Sequence, residues 1–194
     1  MSYRIGNKTY KCVLVLCMAN KGRSPSIEQY LTYALQRDSR KDLDELGIMI
    51  RSTGALRSFK KTLALGNIYR SSTMARLLKE RGIKDQEKYG DYNILETQSS
   101  IPIGKKMLSQ ADLIILADKH VKKELMERKL LKPSYEDKIL CLAVKDVYAP
   151  PGKKKEYESG ILCGTPEAYN RGLDNIITNI ENNLVKIKKK LGIK

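Results

Sequence analysis

The sequence predicts an α/β fold, a three-layer sandwich with a central, mostly parallel four-stranded sheet and helices on both faces. Three observations predict it. Short apolar runs within residues 13–16, 111–118 and 138–144 have the length and unbroken hydrophobicity of strands covered on both faces. They alternate with stretches whose apolar residues recur every three or four positions, the pattern of helices that bury one face. A strand, a helix and a second strand follow one another over residues 11–52, which is the right-handed parallel unit of such sheets.

Residues 1–10 are polar and read as a frayed end or an edge. Gly6-Asn7-Lys8-Thr9 superficially resembles the end of a nucleotide-binding P-loop, but no glycine lies five residues before Lys8 and no strand precedes it, so that motif is set aside. The first strand covers Lys11 to Leu16. Ser24 is a good N-cap and Pro25 suits the first helical position, where its missing N–H costs nothing. Ile27, Tyr30, Leu31, Ala34 and Leu35 then mark one apolar face of a helix running to about Arg37.

Between that strand and that helix lies Cys17-Met18-Ala19-Asn20-Lys21-Gly22-Arg23. A tight loop there points successive backbone N–H groups and the positive end of a helix dipole into the space above Cys17, which suits a phosphate or another tetrahedral oxyanion. Arg23 adds a planar fork able to grip two oxygens at once. The same positive surroundings favour the thiolate, the reactive form of cysteine. A nucleophile and an anion cradle therefore coincide. The spacing of Cys17 and Arg23 is unspecific by itself; its position between a buried strand and an amphipathic helix carries the weight.

A charged connection from Asp38 to Glu45 leads to a second strand, Gly47 to Ser52, which breaks at Thr53-Gly54. Ser72 to Arg81 reads as a helix closed by Gly82. Residues 84–103 are polar, with only Asn93 to Leu95 suggesting a strand. Ala111 to Asp118 is a buried strand. Asp118 stands where parallel strands end, so it either steadies the loop or caps the helix expected over Lys119 to Leu131. His120, the single histidine, reads as a surface residue. Lys138 to Val144 is the last strand, and Thr165-Pro166 opens a long helix with Tyr169, Leu173, Ile176, Ile177, Ile180, Leu184, Ile187 and Leu191 on one face.

The whole chain of 194 residues fits a single domain, residues 1–194, with insertions near 60–71 and 153–164. No apolar run approaches the roughly 18 residues of a membrane span, and no secretory signal pattern opens the chain, so a soluble protein of the cytoplasm and no membrane partner are expected. Four cysteines, at 12, 17, 141 and 163, form no C-x-x-C pair, which argues against a zinc site or a disulfide framework. The net charge of +15 fits two descriptions equally, a solvated Lys-rich surface or weak nucleic-acid binding through a basic surface.

The run Cys17-x-x-Asn20-x-x-Arg23-Ser24-Pro25 resembles the phosphate-binding loop of the low-molecular-weight protein tyrosine phosphatase family. The resemblance continues in order along the chain, through Gly54-Ala55-Leu56-Arg57-Ser58-Phe59, Gly82-Ile83, the strand ending at Asp118, and Asp146-Val147-Tyr148 after the last strand. It implies hydrolysis of phosphotyrosine or similar phosphomonoesters through a phosphocysteine intermediate, with a phosphorylated protein or small phosphomonoester as partner and no metal or cofactor. Cys17 is then the nucleophile, Arg23 and the amides from Met18 through Ala19, Asn20, Lys21 and Gly22 hold phosphate oxygens, and Ser24 donates to the sulfur. Asp146 is the general acid. Phe59 and Tyr148 wall the pocket, although Phe59 fits an ordinary core position equally well. Departures are Ala19 where the family usually has glycine, Gly22 where a second cysteine often stands, and Val147 in place of proline. Three alternatives share the loop: an arsenate reductase, a phosphoserine phosphatase of the kind acting on the RNA polymerase II tail, and a non-catalytic anion or nucleic-acid module.

Overall fold

The computed structural model describes residues 3–5, 7–18, 22–55, 72–83, 103–144 and 166–193. In chain order their elements are β1 (Tyr3–Ile5), β2 (Lys8–Cys17), α1 (Arg23–Ser39), β3 (Ile48–Gly54), α2 (Ser72–Glu80), α3 (Lys105–Gln110), β4 (Leu113–Leu116), α4 (Lys119–Glu127), a 3-10 turn (Pro133–Lys138), β5 (Ile139–Cys141) and α5 (Pro166–Leu191). Four strands are parallel and lie in the order β3-β2-β4-β5. The α/β architecture read from the sequence is the observed one.

Its centre is β2, and the reason is composition. Val13 to Leu16 are at most 1% exposed, because β3 pairs along one edge, β4 along the other, and helices cover both faces. Each such side chain contributes about 1.5–3 kcal/mol relative to an exposed position. From β2 the chain moves to β3, then returns past β2 to β4 and on to β5. Right-handed connections send α1 and α4 to opposite faces at such a reversal, and a crevice opens at the carboxyl ends of the strands. Cys17 ends β2 at that edge of the sheet, level with Gly54 of β3.

Several boundaries differ from the sequence reading. Residues 3–5 and 8–10 are not frayed: β1 pairs antiparallel with the start of β2, Tyr3 opposite Tyr10 and Ile5 opposite Lys8. The intervening Gly6-Asn7 is a hairpin signal in the stretch set aside as a false P-loop. α1 begins at Arg23 rather than Pro25, with Gly22 at the N-cap and no side-chain cap; Ser24 lies inside the first turn, its hydroxyl committed to tertiary partners. β4 and β5 are shorter than expected as regular strands. Ladder bonds nonetheless extend them, from Ala117 N–H to the Leu16 carbonyl (2.8 Å) and from Val144 N–H to the Ala117 carbonyl (2.9 Å). α3 and the 3-10 turn carried no sequence prediction. Asn93 to Leu95 lies outside the described residues.

α1 packs on α5 and α2, while α3 and α4 lie against β2 and β4. The anticipated face of α1 is buried, and so are Ser24, Ser26, Glu28, Gln29 and Thr32, so its first turns are enclosed on all sides. Tyr30 donates to Glu181 of α5, and Arg37 grips the same carboxylate bidentately at 3.1 and 3.2 Å. Burial first, then the Glu181 hydrogen bond, pushes the Tyr30 phenol up to about 12. α2 closes as read: Gly82 has φ +74°, and the amides of Gly82 and Ile83 return to the carbonyls of Lys79 and Leu78, a Schellman closure that needs the left-handed residue. Among the described residues no helix is long and apolar enough to cross a membrane.

Candidate active site

Cys17 is 4% exposed at the carboxyl end of the central strand. Its carbonyl accepts the Ala55 amide at 2.9 Å, which carries the β2–β3 ladder one step past the register pair Cys17 and Gly54. Its Sγ lies 3.0 Å from Oγ of Ser24, the second residue of α1. Ser24 Oγ also lies 3.4 Å from the Thr53 carbonyl. The hydroxyl has one proton for two acceptors. With the sulfur protonated, the thiol can donate to Ser24 and Ser24 to Thr53; with the sulfur ionised, the hydroxyl proton turns to the sulfur. The pair is built to serve both states, because a charge-assisted bond is stronger than a neutral one.

Arg23 is the first residue of α1 and is only 4% exposed. A buried guanidinium is costly unless paired, and the pair is Asp118, which accepts from Nη1. The Val144 carbonyl accepts from the same nitrogen at 3.3 Å. The sequence allows Asp118 two roles, steadying the loop or capping a helix. It does both: one oxygen holds Arg23 and the other accepts the Val121 amide at 2.9 Å as the N-cap of α4. Burial alone would push its carboxyl up, but the Val121 amide and the Arg23 charge and hydrogen bond outweigh burial and hold it below the usual aspartate range. A charged Asp118 facing a charged Arg23 is therefore the state of the site.

Of the residues singled out from the sequence, Cys17, Met18, Gly22, Arg23 and Ser24 are brought together around one loop. Ala19, Asn20, Lys21, Phe59, Asp146 and Tyr148 lie outside the described residues. The sequence reading missed the carbonyls of Thr53 and Val144 and the Ala55 amide, backbone groups that every residue type carries and that no motif could mark. His120 is exposed, as read. Cys12 is buried near the middle of β2, five residues from Cys17, which a strand rise of about 3.3 Å per residue puts roughly 16 Å away. At Cys141, burial and then the Asp118 charge push the thiol up.

No family model and no curated protein matches the chain. Solved structures do. Vibrio vulnificus Wzb in complex with benzylphosphonate is 19% identical, covering 91% of this chain and 99% of its own, with a TM-score of 0.59. A low molecular weight phosphotyrosine phosphatase from Vibrio cholerae is 18% identical over 94% of this chain and 99% of its own, TM-score 0.60. The YwlE arginine phosphatase from Geobacillus stearothermophilus is 20% identical over 93% and 94%, TM-score 0.58. The fold is that of the low molecular weight protein tyrosine phosphatases.

Proposed function

We propose that the chain is a cysteine-dependent phosphatase that hydrolyses phosphotyrosine or a similar phosphomonoester through a phosphocysteine. One observation carries this reading: Cys17 Sγ sits 3.0 Å from Ser24 Oγ, at the N-terminus of a helix whose first residue is a buried arginine locked to Asp118. A structural cysteine needs neither neighbour. The likeness to phosphatases of known fold supports the same reading.

In the first step the Cys17 thiolate attacks phosphorus in line, the S–P bond forms and the ester P–O bond breaks. Arg23 and the loop amides would hold the three equatorial oxygens, whose charge must be stabilised through the transition state. Asp146 would give its proton to the departing oxygen. Its place in the chain supports this role: it stands two positions after Val144, at most about 7 Å of chain, and the Val144 carbonyl touches Arg23. In the second step water attacks phosphorus, Asp146 takes its proton, and the S–P bond breaks. Ser24 then stabilises the leaving thiolate. No step requires a metal or a cofactor.

The test is hydrolysis of p-nitrophenyl phosphate at mildly acidic pH in the presence of a chelator, comparing native protein with Cys17→Ser and Asp146→Ala. Turnover by the native chain, none by Cys17→Ser and a large loss in Asp146→Ala is the expected result. Binding of phosphate without turnover would overturn it and leave a bare anion cradle. A panel of phosphotyrosine, phosphoserine-proline and phosphoarginine peptides then ranks the substrates. An arsenate reductase would need a relay of further thiols. Among the described residues Cys12 is too distant to supply one and the raised thiol of Cys141 is poorly suited to nucleophilic attack; Cys163 lies outside the described residues.

A further inference from the structure

We propose that Lys119, the first residue of α4, is a specificity-determining residue that draws substrates carrying a carboxylate close to the phosphorylated residue. The inference rests on the phosphatase reading above and names the class of its substrate, an acidic phosphopeptide. α4 carries its charges against its own dipole. A helix favours anions at its amino end and cations at its carboxyl end, and α1, α2 and α5 have Arg37, Lys79 and Lys188 to Lys190 in their last turns. α4 has no acidic residue in its first turn and no basic one in its last. Lys119, Lys122 and Lys123 instead precede Glu124 and Glu127 along it, and the Lys123–Glu127 pair runs in the less favourable order. Its C-cap, Arg128, is of the favourable sign and donates to the Ala55 carbonyl. Departures of this kind cost stability, and a folded protein retains them where function needs the charge.

The amino end of α4 is the end beside the site. Ala117 donates to the Leu16 carbonyl at 2.8 Å, which sets the end of β4 level with Cys17, and Asp118 then grips Arg23. Adjacent strands lie about 4.8 Å apart and the step from Ala117 to Lys119 adds at most about 7 Å. The Lys119 backbone therefore stands within about 12 Å of Cys17, a span that an extended peptide covers in about three to four residues. Its ammonium keeps to the same edge of the sheet: burial and the Asp118 charge push the Cys141 thiol up at the end of β5, and the Lys122 and Lys119 charges act against them. Lys119 is exposed. Lys122 is paired with Glu136 and Lys123 with Glu127, whereas among the described residues no ion pair or side-chain hydrogen bond takes Lys119. An uncommitted cation beside Arg23 attracts a second anionic group on the same substrate.

The experiment compares kcat/KM at low ionic strength on two phosphotyrosine peptides that differ only in carrying aspartates or asparagines beside the phosphotyrosine, for the native chain, Lys119→Gln and Lys189→Gln. Lys189 is the control. It is exposed on the last turn of α5, where the Leu191 carbonyl accepts from Lys11, about 20 Å of strand before Cys17. The native chain should favour the acidic peptide about three- to fivefold, the worth of one exposed ion pair, mostly through KM. Lys119→Gln should lose most of that preference and Lys189→Gln should keep it. Thermal unfolding supplies a second readout: Lys119→Gln takes a cation from the positive end of the dipole, so its unfolding temperature should equal or exceed the native value. A preference unchanged in Lys119→Gln, or lost to the same extent in Lys189→Gln, overturns the proposal. A lowered unfolding temperature in Lys119→Gln also overturns it, because Lys119 would then serve the helix. Native protein that hydrolyses p-nitrophenyl phosphate and both peptides, with no preference between the peptides, refutes the proposal and leaves the phosphatase reading standing. Native protein with no turnover on any of the three removes both.

Discussion

At the scale of single residues, the proposed chemistry can be tested at Ser24 and Asp118. Ser24 has one proton to share between the Cys17 sulfur and the Thr53 carbonyl. Ser24→Ala removes the hydroxyl that lies 3.0 Å from the sulfur, and kcat should fall by about ten- to a hundredfold, the worth of a hydrogen bond to a charged group. Phosphate binding should survive, since the proposed mechanism gives that work to Arg23 and the loop amides; equal losses in both measurements would contradict the division of roles. Asp118 is argued from its titration. Its native carboxyl lies below the usual aspartate range, so its contribution to stability is complete above the unfolded value near ~3.9 and is lost as pH falls through the lower native value. The stability gap between native protein and Asp118→Asn should therefore be constant near neutrality and shrink on acidification below about pH 4. A gap that widened in acid would show that Asp118 is not held charged by Arg23.

At the scale of elements, α5 shows how a helix divides its residues between core and solvent. Leu173, Ile176, Ile180, Leu184, Ile187 and Leu191 are at most 4% exposed, whereas Val185 is 81% exposed. Ile180→Ala should cost about 2–5 kcal/mol by denaturant unfolding, and Val185→Ala less than about 0.5 kcal/mol. Comparable effects would mean that the helix is rotated from the face it presents. Periodicity made this helix readable from the sequence, because burial on one side repeats with the helical turn. It could not show that the first turns of α1 are buried all round, polar residues included. Ser26, Glu28 and Gln29 look like a solvent face until other parts of the chain enclose them.

At the scale of the whole molecule, the net charge of +15 is what remains after every acidic residue is counted, so surface pairs such as Lys122–Glu136 and Lys123–Glu127 leave it undiminished. Such a field raises encounter rates with anionic partners and is screened by salt. For an acidic phosphopeptide, kcat/KM should fall as ionic strength rises while kcat stays level; a salt-independent kcat/KM would mean that the charge serves solubility alone. The sequence by itself determined the α/β class, the buried strand that leads to Cys17, the core faces of α1 and α5, and the union of Cys17 with Arg23 on one loop. Each of these is written locally, in hydrophobic period or in residues a few positions apart. Only the tertiary structure decided that Gly22 and not Ser24 caps α1, that Asp118 both caps α4 and holds Arg23 from 95 residues away, and that Val144 and Ala55 offer their carbonyls to Arg23 and Arg128. Those bonds join partners that become neighbours only when parallel strands bring their carboxyl ends to one edge. Many of them end on backbone atoms, which are the same in every residue and leave no mark in a sequence.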